Sequence, residues 1–209
     1  MEEKTKHQLG KEHTTERPEL LSGNEPFKQN DVELGFNVMD YWRFQFSNLV
    51  DNLGFVAEFL IAQALNKDEP DNCNGWTVYD LGYRGKRIEV KATSYYQSWK
   101  ASHIICEQRT FSIRKTYVDY QNSKSELARQ NDIYIFCLEK EKPQENETAN
   151  PLNLDNWIFY VVPTSIINNL FGDQKTLSLN RLTHIEKYGA GLRYDQIKNK
   201  VDEIIDDSK

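Results

Sequence analysis

Two carboxylates face each other across a predicted β-hairpin in the first half of the chain. The residues from Trp76 to Lys91 read WTVYDLGYRGKRIEVK, which predicts two short strands and a turn at Arg84–Gly85. That turn places Asp80 opposite Glu89, with Cβ atoms about 4.5–5.5 Å apart, and like charges at this distance repel each other. A divalent cation between the two would relieve the repulsion, since Mg²⁺ prefers oxygen ligands of this kind.

A cation of the chain itself lies on the same face of the second predicted strand. Side chains alternate along a strand, so Glu89 and Lys91 share one face while Ile88, Val90 and Ala92 occupy the other. Two metal-binding carboxylates and an ammonium group therefore converge on one region. This combination predicts chemistry suited to the hydrolysis of phosphodiesters.

The preceding helix supplies a third acid. Apolar residues at helical spacing predict a helix over Asn52–Leu65, in which Glu58 is the single charged residue. A buried carboxylate without a partner is costly and normally acquires a counter-charge, a metal or a proton. Glu58 is thus a candidate site residue, and the alternative is a glutamate at the edge of the buried face whose carboxylate reaches water.

Together these residues resemble a known family. A helical glutamate, an aspartate on the next strand and Glu-x-Lys on the strand after it form the pattern of the PD-(D/E)XK, or restriction-endonuclease-like, nuclease superfamily. The pattern stands here as Glu58, Asp80 and Glu89-Val90-Lys91.

The resemblance extends over roughly the second quarter of the chain. The stretch Val38–Trp99 is similar to a small bacterial branch of that superfamily, although Tyr79 stands where the family name has proline. Gln97 matches a glutamine that many members carry on or after the Glu-x-Lys strand. For Gln97 the resemblance implies contact with the nucleophile or the phosphate backbone, and the alternative is a hydrogen-bonding residue in a surface loop.

The resemblance implies a metal-dependent nuclease, in the first place a Mg²⁺- or Mn²⁺-dependent DNA endonuclease acting in restriction, repair or defence. Asp80, Glu89 and the Val90 carbonyl would hold the metal ion. Glu58 would complete a second metal site or bind a metal-bound water. Lys91 would orient the attacking water and offset charge in the transition state.

Periodicity predicts one mixed α/β domain over residues 32–209 after a flexible polar arm at residues 1–31. The resemblance implies that this domain contains a restriction-endonuclease-like sheet flanked by helices. The predicted helices are Val38–Val50, Asn52–Leu65, Val118–Gln130, Pro163–Phe171 and Tyr194–Ile205. The predicted strands are Trp76–Leu81, Lys86–Thr93, His103–Ile113, Asp132–Leu138 and Trp157–Val162.

Charge limits the nature of a nucleic-acid contact. A net charge of −6 argues against a strong, sequence-blind DNA binder, because such proteins usually carry a basic face. Basic residues nevertheless cluster around the hairpin and the following strand, where they form either a local basic groove or a solvated charged edge. They are Arg84, Lys86, Arg87, Lys91, Lys100, Arg109, Arg114 and Lys115.

Cysteine usage indicates a reducing compartment. The three cysteines, Cys73, Cys106 and Cys137, are odd in number and lack metal-ligand spacing. The chain has no secretory signal and no apolar run long enough to cross a bilayer. We therefore expect a cytoplasmic protein with no membrane partner.

Other functional classes fit the same residues. A catalytically degenerate nuclease fold that only binds DNA or a protein would account for the acidity. A metal-dependent phosphatase or nucleotide hydrolase would use the same carboxylates in an enclosed pocket. The aromatic helix Val38–Val50 also predicts a homodimer interface, and the alternative is a helix buried on two sides within one monomer.

Overall fold

The computed structural model describes residues 20–66, 78–96, 109–118, 126–143 and 149–208. The chain forms two compact units, one ending at Trp42 and the other beginning at Arg43. Of the predicted polar arm, residues 1–19 lie outside the described residues. None of the described helices is both long and apolar enough to span a membrane.

The first unit contains a hairpin of strands β1 (Pro26–Gln29) and β2 (Val32–Asn37), so its first strand lies within the range predicted for the arm. Asn30 and Asp31 both have positive φ, as a two-residue turn between antiparallel strands requires. Helix α1 (Val38–Phe46) begins directly after β2. The hairpin is almost entirely exposed, although Val32, Leu34 and Phe36 of β2 alternate with Glu33, Gly35 and Asn37.

The second unit contains the remaining elements. Its strands are β3 (Leu81–Tyr83), β4 (Lys86–Ser94), β5 (Thr110–Ser112), β6 (Thr116–Tyr117), β7 (Leu127–Ala128), β8 (Ile133–Glu139), β9 (Trp157–Pro163) and β10 (Thr176–Ser178). Its helices are α2 (Leu53–Ala64), α3 (Thr164–Phe171), α4 (Leu179–Thr183) and α5 (Ile197–Asp206). This architecture confirms the prediction of a mixed α/β fold.

A four-stranded mixed sheet in the order β3-β4-β8-β9 forms the centre of this unit. Strand β4 pairs with β8 in parallel, whereas β3 and β9 pair with their neighbours in antiparallel orientation. All seven residues of β8 are buried, as expected for a central strand covered on both faces. Two further sheets of two strands each, β5 with β10 and β6 with β7, lie outside the central sheet.

Side chains on the two faces of the sheet form two separate apolar cores. Ile133 and Ile135 of β8 pack on one face, in the core that includes residues of α2 and α5. Tyr134 and Phe136 pack on the other, in the core that includes residues of α3 and α4. In β4, Ile88 belongs to the first core, so α2 covers the apolar face of the predicted site strand.

Five predicted elements are confirmed within one residue at each end, namely α2, β4, β8, β9 and α3. Helix α5 begins three residues later than predicted, and α1 ends at Phe46 instead of Val50. The strand predicted over Trp76–Leu81 is displaced, since β3 covers Leu81–Tyr83. The helix predicted over Val118–Gln130 is wrong at its end, because Leu127–Ala128 form β7 and pair with β6. The contacts of Arg129 explain why this segment is extended and not helical. Its guanidinium donates to the carbonyls of Ile113, Gly172 and Gln174 at 2.7–3.0 Å, so distant tertiary contacts determine the local conformation.

Glu139 at the end of β8 is a buried acid with incomplete hydrogen bonding. Its side chain is fully buried, and Oε1 accepts the N–H of Glu141 at 2.9 Å. Oε2 has no hydrogen-bond partner. Burial accordingly raises the pKa of Glu139 from 4.5 to about 7.

Replacing Glu139 should therefore flatten the dependence of stability on pH. Because the native pKa lies above the unfolded value, folding takes up a proton, and the unfolding free energy falls as pH rises from about 4.5 to about 7. The loss is on the order of 3 kcal/mol. Urea unfolding of Glu139→Gln between pH 4 and pH 8 should lack most of this loss. Glu126→Gln, an exposed control, should retain it, and an unchanged slope in Glu139→Gln would contradict the assignment.

Candidate functional site

The hairpin of β3 and β4 has the predicted turn and register. Arg84 and Gly85 form the turn with φ values of 49° and 77°, a left-handed pair that matches the twist of the strands. Leu81 pairs with Ile88 and Tyr83 with Lys86. The two strands that bring the predicted acids together are thus aligned as the sequence indicates.

Asp80 departs from the simple pairing. Its N–H donates to the carbonyl of Ile88 at 3.0 Å, although Ile88 is the strand partner of Leu81, so the ladder is irregular one residue before β3 begins. Its carboxylate Oδ2 accepts the N–H of Val90 at 2.7 Å. The side chain of Asp80 therefore satisfies a backbone donor of β4 beyond the reach of β3.

The carbonyl of Val90 points toward the edge of β4 on which Asp80 lies. Ile88 presents its carbonyl to Asp80, and backbone groups of every second residue in a strand point in one direction. The N–H and carbonyl of Val90 therefore both face the side on which Asp80 lies. A backbone carbonyl that binds a metal ion together with Asp80 would need this orientation.

Glu89 and Lys91 form an ion pair on the opposite face from the Ile88 core. The Lys91 ammonium contacts Glu89 Oε1, and the two side chains are 30% and 20% exposed. Burial raises the pKa of Glu89, the Lys91 charge lowers it, and Asp80 raises it further. The ammonium thus compensates in part for the two neighbouring negative charges.

Glu58 reaches the same cluster from α2. Burial is the largest cause that raises its pKa from 4.5 to about 7, followed by the negative charge of Asp80. Lys91 opposes this rise and Glu89 adds to it. Electrostatic interactions therefore link Glu58 to Asp80, Glu89 and Lys91, whereas Gln97 lies outside the described residues.

A second charged cluster, which the sequence did not single out, holds the hairpin turn against α5. Asp202 accepts from Arg84 at 2.7 Å, from Lys198 at 2.8 Å and from the Tyr83 hydroxyl at 3.1 Å. These donors lower the pKa of Asp202 to about 2, with Lys198 as the main cause. Only the i, i+4 spacing of Lys198 and Asp202 was visible in the sequence.

Several basic residues near the hairpin are engaged within the chain. Arg84 pairs with Asp202 and Asp206, Arg87 with Asp132, and Lys115 with Asp173. Such pairs neutralise charge that would otherwise face a phosphate backbone. Lys100 of the predicted basic cluster lies outside the described residues.

The donor set fits a hard divalent ion in its chemistry. In the part of the chain that the structure describes, no three His, Cys, Asp or Glu side chains are arranged to hold a metal. Mg²⁺, however, is commonly bound by one or two carboxylates together with water and substrate phosphate. Asp80 and Glu89, whose negative charges repel each other, satisfy that smaller requirement.

Removing the charge of Asp80 should lower the pKa of Glu58. In Asp80→Asn the amide oxygen can still accept from Val90, while the repulsion that helps to raise the pKa disappears. The side-chain carbon shift of Glu58, followed by NMR against pH, should titrate near 7 in the wild type and at a lower pH in the variant. Asp155→Asn, the same change at an exposed position, should leave it unaltered. A Glu58 that titrates identically in Asp80→Asn does not share a site with Asp80.

Comparison with known proteins finds no family model that matches this chain and no matching curated protein. The function is therefore inferred from the four clustered side chains and their surroundings.

Proposed function

We propose that the chain is a divalent-metal-dependent phosphodiesterase with a restriction-endonuclease-like fold, acting on nucleic acid and in the first place on DNA as an endonuclease. The proximity of Glu58, Asp80 and Glu89 to Lys91 is the observation that carries this proposal. Three acids and one ammonium group at the edge of a sheet match the residue types that phosphodiester hydrolysis requires. The sequence resemblance supplies the nucleic-acid substrate.

Asp80 and Glu89 would hold Mg²⁺ or Mn²⁺ together with the carbonyl of Val90. The bound ion would lower the pKa of a water molecule and polarise the phosphate. The hydrogen bond from Val90 to one oxygen of Asp80 orients this carboxylate before any ligand binds. Orientation in advance reduces the entropic cost of binding.

Lys91 would act on the attacking water and on the charge that develops at phosphorus. In the absence of substrate its ammonium is held by Glu89, which places it next to the carboxylate proposed to bind the metal. Glu58, with a pKa of about 7, exists in both protonation states near neutral pH. It would therefore accept or donate a proton, or bind a second cation once ionised.

A non-catalytic binding module is the second candidate, and a specific observation favours it. Asp80 is engaged by the Val90 N–H and Lys91 by Glu89, so both polar groups already have partners within the chain. A protein of this class would bind DNA but leave duplex, nicked, branched and single-stranded substrates uncut in Mn²⁺. Cleavage of any of these by the wild type would exclude it.

Divalent metal should stabilise the wild type. An ion bound only to the folded state adds about 1.4 kcal/mol at ten times its dissociation constant, which raises Tm by about 3–5 °C for a domain of this size. Calorimetry in millimolar Mn²⁺ should show this rise, and Asp80→Ala and Glu89→Ala should show little of it. Asp155→Ala, at an exposed acid, should respond like the wild type. Equal Tm shifts in all four proteins would contradict the proposed metal site.

Lys91→Ala should abolish cleavage without loss of the metal response. Removing one group that stabilises transition-state charge typically lowers kcat by about 10²–10³-fold. Cleavage of plasmid DNA should fall by that factor, while DNA affinity and the Mn²⁺-induced rise in Tm remain. Lys187→Ala is the control, since Lys187 is an exposed partner of Asp207. Loss of DNA binding along with cleavage would instead make Lys91 a phosphate ligand.

A further inference from the structure

Within the second unit, a group of large apolar side chains is exposed on the last residues of α1, on α2 and on the loop before β9. Phe44 is 85% exposed and Phe46 36%, at the end of α1. Phe55 and Phe59 on α2 are 62% and 61% exposed, and Leu152 of the loop before β9 is 74% exposed. These five residues are called the phenylalanine face.

The phenylalanine face combines projecting side chains with a hollow. The hollow has a volume of about 410 Å³, and nine of the ten described residues that line it are apolar, Asn52 being the exception. Phe46 and Phe55 meet edge to face at 5.8 Å within it. This contact holds both rings in place before any partner binds.

The area of the phenylalanine face matches what a stable pairing of proteins needs. With ~200 Å² for a whole phenylalanine side chain, its four phenylalanines expose about 500 Å². A standard interface takes about 800 Å² from each partner, of which roughly 60% is apolar. The phenylalanine face therefore supplies the whole apolar part of one such interface.

We propose that a second copy of this chain covers the phenylalanine face and forms a two-fold symmetric dimer. In such an interface the same surface serves both partners, so it must offer projections and a recess together. Phe44, which is 85% exposed, is the projection, and the hollow lined by Phe55 and Leu152 is the recess. No charged residue lines the hollow among the described residues, so its chemistry selects an apolar complement and not a charged one.

Self-association is measured by light scattering on the full chain from low to high micromolar concentration. The wild type should rise from the mass of one chain, 24.5 kDa, to twice that mass. Phe55→Asp combined with Phe59→Asp should raise the dissociation constant of the dimer by at least about 30-fold. Leu152→Asp, a change in the loop before β9 and not in a helix, should weaken the dimer in the same direction.

Two controls separate the interface from folding and from catalysis. Leu170→Asp places the same charge on α3, at a leucine that is 49% exposed outside the phenylalanine face, and should dimerise like the wild type. Asp80→Ala should also dimerise, so failure of the nuclease proposal leaves this one intact. Circular dichroism must show that each variant is folded. A wild type that remains a single chain, or a dimer that survives Phe55→Asp with Phe59→Asp, would overturn the proposal.

Discussion

Parallel pairing of β4 with β8 fixes the position of both the core and the candidate site. The register joins Ile88–Ser94 to Ile133–Glu139 residue by residue. It directs Ile88 and Val90 into the core beneath α2 and leaves Glu89 on the other face. A slip of one residue would drive Glu89 into that core, at the cost of burying a charge. Apolar packing around β8 is therefore what places the charged side chains.

The short length of β3 creates the opening in which the acids meet. β3 ends its regular pairing at Leu81, so the edge of β4 beyond Ile88 lacks a strand partner among the described residues. The Asp80 carboxylate replaces the missing strand partner by accepting a hydrogen bond from the N–H of Val90. A charge-assisted bond of this kind is stronger than the ladder bond it replaces. With this bond in place, the Val90 carbonyl faces Asp80 and not a neighbouring strand. The Asp80 side chain therefore stabilises the edge of β4 and is also the proposed metal ligand.

The sequence predicted the site elements well because their signals are local. Ile88 and Val90 alternate with charged residues, Arg84–Gly85 is a strong turn, and α2 repeats its apolar residues at helical spacing. The predicted opposition of Asp80 and Glu89 missed the irregular pairing, in which the backbone N–H of Val90 donates a hydrogen bond to the Asp80 side chain. Arg129 and the Asp202 cluster were not recognised either, because their partners lie far away along the chain.

Protons compete with any metal ion for the carboxylates of this site. Burial and mutual repulsion raise the pKa values of Glu58 and Glu89, so these two carboxyl groups keep their protons to a higher pH than dispersed acids would. A cation that binds these carboxylates must displace those protons, and its affinity increases as pH rises through about 7. Lys91 supplies only one positive charge against three acids. Because the cluster contains three acids and one ammonium group, the divalent ion that we propose would offset its excess negative charge.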